Sequence, residues 1–264
     1  MRWIGRRIFA MIGLASLLAC GGPRTTGLSR CEAEVGRPRA VMPACVETPK
    51  GAMAIEDEYL PGVVQCEVGG MHKTPSVLEA QAIVARTYLL AHLLRTDLDR
   101  GVPLTSRFQC FAEGATAASR EAVARTRDVV LHHQGQVLDA NYAAGVRRRS
   151  ADCSPLPPDE VGYARFPDWE AMRAAYLAAR LRGERRPFAG VAWTEVFIVI
   201  NEGRTGLDVR PSPWNPARPT NRGAFGQWAA LCLARERGAG ALTILRYFFG
   251  ADVELTAAHN GQGA

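Results

Sequence analysis

Gly69 and Gly70 cut the most helix-prone part of this chain in two, and the acidic residue Glu67 falls at the cut. Upstream, Ile55 to Val68 sets Tyr59, Val63 and Cys66 along one stripe and tolerates Pro61 within its first turns, so a first helix is predicted there. Downstream, Thr74 stands where an N-cap belongs and Pro75 takes the first helical position. Val77, Ala80, Val84, Thr87, Tyr88, Ala91 and Leu94 then recur along a long second helix. This interrupted helical pair is the frame around which the remaining chain must be arranged.

Beyond it, helix and strand signals alternate. A strand is predicted at Thr105 to Phe111, a short helix at Ser119 to Thr126, and a hairpin joining Val129–His132 to Val137–Tyr142 across His133-Gln134-Gly135-Gln136. Trp169 to Arg182 is alanine-rich and amphipathic, hence helical, whereas Trp193 to Ile200 branches and alternates like a buried strand. Pro211 to Pro219 is a loop. Helices follow at Phe225 to Arg237 and Ala241 to Phe248, with stops at Gly238-Gly240 and Gly250. The expected class is α+β, a single mixed domain over residues 55–255 carrying a groove, followed by a tail at 256–264.

The N-terminus directs the chain out of the cytoplasm. Arg2, Arg6 and Arg7 precede an apolar run from Ile8 to Ala19 that is too short to span a bilayer, so residues 1–19 read as a signal peptide. The run closes in Leu17-Leu18-Ala19-Cys20-Gly21, which resembles a bacterial lipoprotein processing box and implies lipid on Cys20. Gly21-Gly22 brings no acidic residue after Cys20, so the periplasmic face of an outer membrane is the expected place. Residues 20–54, rich in Gly, Pro, Arg and Thr, read as a lipidated tether and irregular lead-in.

Removing the signal peptide takes away three arginines and no acids, so the formal charge falls from +6 to +3. The Arg147-Arg148-Arg149 run lacks interleaved aromatics, which excludes a nucleic-acid footprint. Six cysteines remain after Cys20, an even number in an exported chain, and without zinc spacing they favour disulfides. Cys66 lies beside Glu67, which suggests that one bridge stiffens that turn. His132-His133 finds no further ligands in the pattern, so no metal site is expected.

A carboxyl at the end of one helix, facing Arg86 on the next within apolar surroundings that raise its pKa, is what a sugar-cleaving acid needs. Gln81 and Gln227 can hydrogen-bond sugar hydroxyls, or satisfy backbone groups near helix ends. Tyr142 can stack on a sugar face or sit in the core. Arg86 can hold a carboxylate or N-acetyl oxygen, or pair structurally with Glu79 or Glu67.

Several segments together carry a resemblance: Glu58-Tyr59-Leu60-Pro61-Gly62-Val63-Val64, Glu67, Glu79-Ala80-Gln81-Ala82 and Ala85-Arg86-Thr87-Tyr88. Gln109 with Phe111, Glu121-Ala122-Val123, Thr126, Val130, Gly135 and Tyr142 continue it. Gly226-Gln227-Trp228-Ala229-Ala230 and Ile244-Leu245-Arg246-Tyr247-Phe248-Phe249-Gly250 close it. The chain resembles the stage II sporulation protein D and amidase-enhancer family across roughly residues 55–255.

The resemblance implies a lytic transglycosylase acting on peptidoglycan glycan strands, with Glu67 as the catalytic acid; Arg86, Gln81, Gln227 and Tyr142 are the substrate-binding residues expected from their chemistry, and no cofactor is expected. One carboxyl suffices if it first gives a proton to the glycosidic oxygen and then takes one from the sugar's 6-hydroxyl. A hydrolase usually needs a second carboxylate, and none is similarly placed here. Two stretches depart from the family. Ala143 to Arg149 replaces a serine- and glycine-rich turn, and Thr220 to Phe225 replaces a His-Gly pair and a methionine. The alternative is therefore a non-catalytic lipoprotein that binds peptidoglycan or enhances a cell-wall amidase.

Overall fold

The structure, a computed structural model, describes residues 42–69, 74–96, 101–106, 108–145, 153, 169–184 and 193–257. The expected signal peptide, Cys20 and Arg147–Arg149 lie outside the described residues.

Regular structure begins before Ile55. Strands β1 (Cys45–Thr48) and β2 (Gly51–Ala54) form an antiparallel hairpin with Cys45 opposite Ala54 and Thr48 opposite Gly51. The lead-in expected at these positions is thus part of the fold, and the Ile55 N–H bonds back to the Ala44 carbonyl at 2.8 Å. The predicted first helix runs from Ile55 to Gly69, but only α1 (Leu60–Val64) has α geometry. Wider π turns flank it at Ile55–Tyr59 and Gln65–Gly69.

Helix α2 (Pro75–Arg95) is the axis of the fold. Thr74 opens it through its carbonyl, which accepts from Val77 and Leu78, and its hydroxyl makes no capping bond. One side of α2 sends Val77, Ala80, Ile83 and Val84 into a core shared with α5 (Gln227–Glu236) and α6 (Ala241–Phe249). The other sends Leu78, Ala82, Ala85 and Leu89 into a core shared with α1 and α3 (Ala117–Arg125). A helix covered on both sides has no polar face to show, which is why its sequence is apolar nearly all round. By composition alone α2 could cross a membrane, but most of it is buried inside the protein. Each large side chain fully buried here contributes about 1.5–3 kcal/mol relative to exposure.

Strand β3 (Val129–His133) pairs with β4 (Gln136–Val137) through a Gln134-Gly135 turn at φ 51° and 73°, the left-handed pair a two-residue hairpin requires. The predicted second arm is shorter than expected. After Val137 the chain leaves the hairpin, and β5 (Asn141–Ala143) pairs in parallel with β6 (Ala224–Gly226). The other edge of β3 takes β7 (Glu254–Ala257), so the expected tail contributes a strand.

Helix α4 (Trp169–Leu181) forms as predicted and buries Met172 and Tyr176 against Val196 and Phe197. The predicted strand over Trp193 to Ile200 is instead a 3₁₀ turn at Trp193–Phe197 followed by irregular chain. Its branched residues are buried as expected; Val196, Phe197, Ile198 and Val199 fill the core from a backbone that joins no sheet.

Candidate functional site

Glu67 lies in the π turn that ends the first helical arm, and three groups converge on its carboxyl. The Cys110 N–H donates to Oε1 at 2.9 Å, the Tyr142 hydroxyl donates to Oε1 at 3.3 Å, and Gln227 Nε2 donates to Oε2 at 3.0 Å. The three donors come from a loop, from β5 and from the first residue of α5. The parallel β5–β6 pairing sets Tyr142 beside Phe225, two residues before Gln227, and so brings two of the donors together.

The third donor explains the missing strand at Thr105 to Phe111. Gln109, fully buried, accepts from the Tyr59 hydroxyl at 2.8 Å and donates to the Ala85 carbonyl at 3.0 Å. Cys110 is disulfide-bonded to Cys66 and gives its N–H to Glu67. The Cys110 N–H, taken by Glu67, is not available to a sheet ladder. A bridge beside Glu67 was expected, and Cys66–Cys110 is that bridge. Cys153–Cys232 is a second, buried one, and Cys45 is disulfide-bonded as well.

Burial pushes the Glu67 carboxyl above its ordinary range, against the opposing pull of the bonds from Cys110, Gln227 and Tyr142. Burial, reinforced by the charge of Glu67, also holds the Tyr142 phenol well above its ordinary value, so it stays an O–H donor. Gln227 Nε2 bonds Gln81 Oε1 at 3.3 Å, while Gln81 Nε2 is buried and has no partner among the described residues. Glu67, Gln81, Gln227 and Tyr142 are therefore one cluster.

Arg86 is not part of it. Its side chain is wholly buried and grips Glu56 with two bonds of 2.6 and 2.7 Å, and it donates to the Val129 carbonyl at 3.1 Å. An arginine with no exposed surface cannot reach a sugar, so the expected substrate contact gives way to a structural role. Neither expected pairing partner holds it, since Glu79 pairs with Arg125 at 3.1 Å.

Beside Glu67 opens a cleft of about 280 Å³, lined by Tyr88, Phe108, Tyr142 and Trp214 together with Ser106, Asn141 and Asn215. Tyr142 is packed edge-on against Tyr88, 6.0 Å between centroids. Sequence reasoning missed Phe108 and Trp214, and the run Pro211 to Pro219 read only as a loop. The remaining signal was a tryptophan in a proline-bounded segment, a costly residue to place on a surface without a use. Among the described residues, no group of three His, Cys, Asp or Glu side chains could hold a metal.

The fold and the cleft define an α+β domain built around a partly buried carboxyl with aromatic and amide neighbours. Residues 51–133 match the model of the SpoIID family, described as stage II sporulation protein. The match runs from β2 through β3 and contains Glu67, Gln81, Arg86 and Cys110; Tyr142 and Gln227 lie beyond it. No curated protein matches the chain.

Proposed function

We propose that the protein is a lytic transglycosylase that cleaves peptidoglycan glycan strands and leaves anhydro-muramyl ends. The observation that carries this reading is Glu67: a carboxyl whose pKa is raised by burial, bonded by three donors, and facing a cleft with no second carboxylate among its described lining residues.

In the first step protonated Glu67 gives its proton to the glycosidic oxygen as the C1–O bond breaks. In the second, the carboxylate takes the proton of the 6-hydroxyl as that oxygen bonds to C1, which closes the anhydro ring and restores the acid. No water enters. Cys110 and Tyr142 both donate to Oε1, so Oε2, with Gln227 as its one partner among the described residues, is the oxygen free to exchange the proton.

The two glutamines suit a group that must act as acid and as base. With Glu67 ionised, Gln227 Nε2 donates to it and to Gln81 Oε1. With a proton on Oε2, rotation of the Gln227 amide offers that proton an oxygen. Rotation of Gln81 then turns its unpartnered Nε2 toward the same oxygen.

In this reading the chain is exported, anchored through lipid on Cys20, and works at the periplasmic face of the outer membrane. The test is incubation of purified glycan strands, with and without stem peptides, followed by mass spectrometry. Anhydro ends from wild type and none from Glu67→Gln support the assignment. Reducing ends point to a hydrolase, and no cleavage by either protein with equal glycan binding points to the binding or amidase-enhancing lipoprotein.

A further inference from the structure

Trp214 is held more firmly than a loop residue requires. Its indole stacks on Phe197 with 4.0 Å between centroids and 8° between planes, and Phe197 is itself buried edge-on against Tyr176. The backbone around it is clamped by Asn221, which is 5 % exposed. Asn221 Nδ2 donates to the carbonyls of Ser212 at 3.0 Å, Asn215 at 3.1 Å and Trp214, and its Oδ1 accepts from the Ser212 N–H at 2.9 Å. The buried Ser212 hydroxyl donates to the Phe197 carbonyl at 3.2 Å and accepts from the Trp214 N–H at 3.3 Å. One face of the ring is thus backed by Phe197, and the partly buried indole still lines the cleft that holds Glu67.

The composition of that cleft selects its occupant. Flat aromatic surface from Trp214, Tyr88 and Phe108 alternates with the amides of Asn141 and Asn215 and the Ser106 hydroxyl. A pyranose has the same division, an apolar C–H face and a rim of hydroxyls. An aliphatic ligand would strand the amides, and a phosphate would meet Glu67 with no cation among the described lining residues.

We propose that Trp214 is a stacking platform for a neutral pyranose ring of the glycan, prearranged by Asn221 as its positioning residue. This rests on the reading of the cleft as a glycan site. It adds a binding residue from the Pro211–Pro219 loop, outside the 51–133 family match. Rigid backing matters because a ring already fixed loses little freedom when a sugar settles on it.

The test uses the full-length protein carrying Glu67→Gln, so that nothing is consumed, titrated with a hexamer of N-acetylglucosamine and with peptide-free glycan strands by calorimetry. Trp214→Ala and Trp214→Leu should each weaken binding by about tenfold, while Trp214→Tyr, which keeps a π face, restores most of it. Far-UV circular dichroism and thermal melts check that the variants are folded. Affinities within about twofold of the parent for both Ala and Leu would overturn the platform, as would a parent that binds neither probe. The two readings separate cleanly. Binding lost on Trp214→Ala, with no anhydro products from protein retaining Glu67, keeps the platform and removes the transglycosylase. Unchanged binding with anhydro products does the reverse.

Discussion

The backbone N–H of Cys110 donates to Glu67 Oε1 at 2.9 Å, and Cys110 is disulfide-bonded to Cys66, the neighbour of Glu67 in the chain. The covalent bridge and the hydrogen bond span the same gap, so the bridge sets where the donor stands. Cys66 is exposed, whereas Cys153 and Cys232 are buried. Mild reductant should open Cys66–Cys110 first and lower activity before the fold melts. A Cys66→Ser/Cys110→Ser protein should lose about 2–5 kcal/mol of stability. Thiol mapping by mass spectrometry beside an activity trace checks the order of events.

Burial is the largest influence on Glu67 and holds its carboxyl above the ordinary 4.5. The folded protein then binds that proton more tightly than the unfolded chain does. The stability this group contributes is present below the ordinary value and is lost as pH climbs through the raised one. Glu67→Gln should therefore melt with wild type in acid and above it near neutral pH, while losing about 10²–10⁴-fold in turnover. Melting curves across that range, read beside product analysis, settle both halves. A wild type that gains stability over Glu67→Gln with rising pH would contradict the burial argument.

Arg86→Met should destabilise by about 3–5 kcal/mol, because it leaves Glu56 beside an apolar interior without its partner. Changing both residues, Arg86→Met with Glu56→Leu, should recover part of the loss. Urea denaturation of the single and double variants measures this. Glycan affinity of the folded Arg86→Met protein should match wild type, since the guanidinium has no surface to offer a ligand.

Gln81→Leu should separate the two protonation states of Glu67. It leaves the bond from Gln227 to the carboxylate in place and removes the partner that supports a turned Gln227 amide. The expected result is a lower turnover number at nearly unchanged KM, with the alkaline limb of the pH–rate profile, where Glu67 loses its proton, shifted to lower pH. A parallel loss in both parameters would mean that Gln81 acts in packing alone.

Much of this could be read from residue order. The periodicity of α2, the Gln134-Gly135 hairpin turn and the terminal helices are local matters. They are governed by backbone freedom and by apolar spacing within a few turns, and they formed where expected. Even the pairing of Cys66 with the site was visible, because Cys66 and Glu67 are adjacent.

Long-range competition was not visible. Thr105 to Phe111 has strand-like composition, yet the Gln109 amide accepts from Tyr59 and donates to Ala85 while the Cys110 N–H donates to Glu67, and no propensity scale weighs partners that lie 24 to 50 residues away. Arg86 read as a ligand for sugar because its helix neighbours Glu67. The rotation of that helix instead faces it inward to Glu56, and a buried guanidinium is tolerated only where such a carboxylate waits. Residue order determined that one carboxyl would sit at a helix break, with glutamines and aromatics elsewhere in the chain to serve it. The parallel β5–β6 pairing and the Asn221 clamp, both tertiary contacts, decided which glutamine and which tyrosine would reach it and which tryptophan would line its cleft.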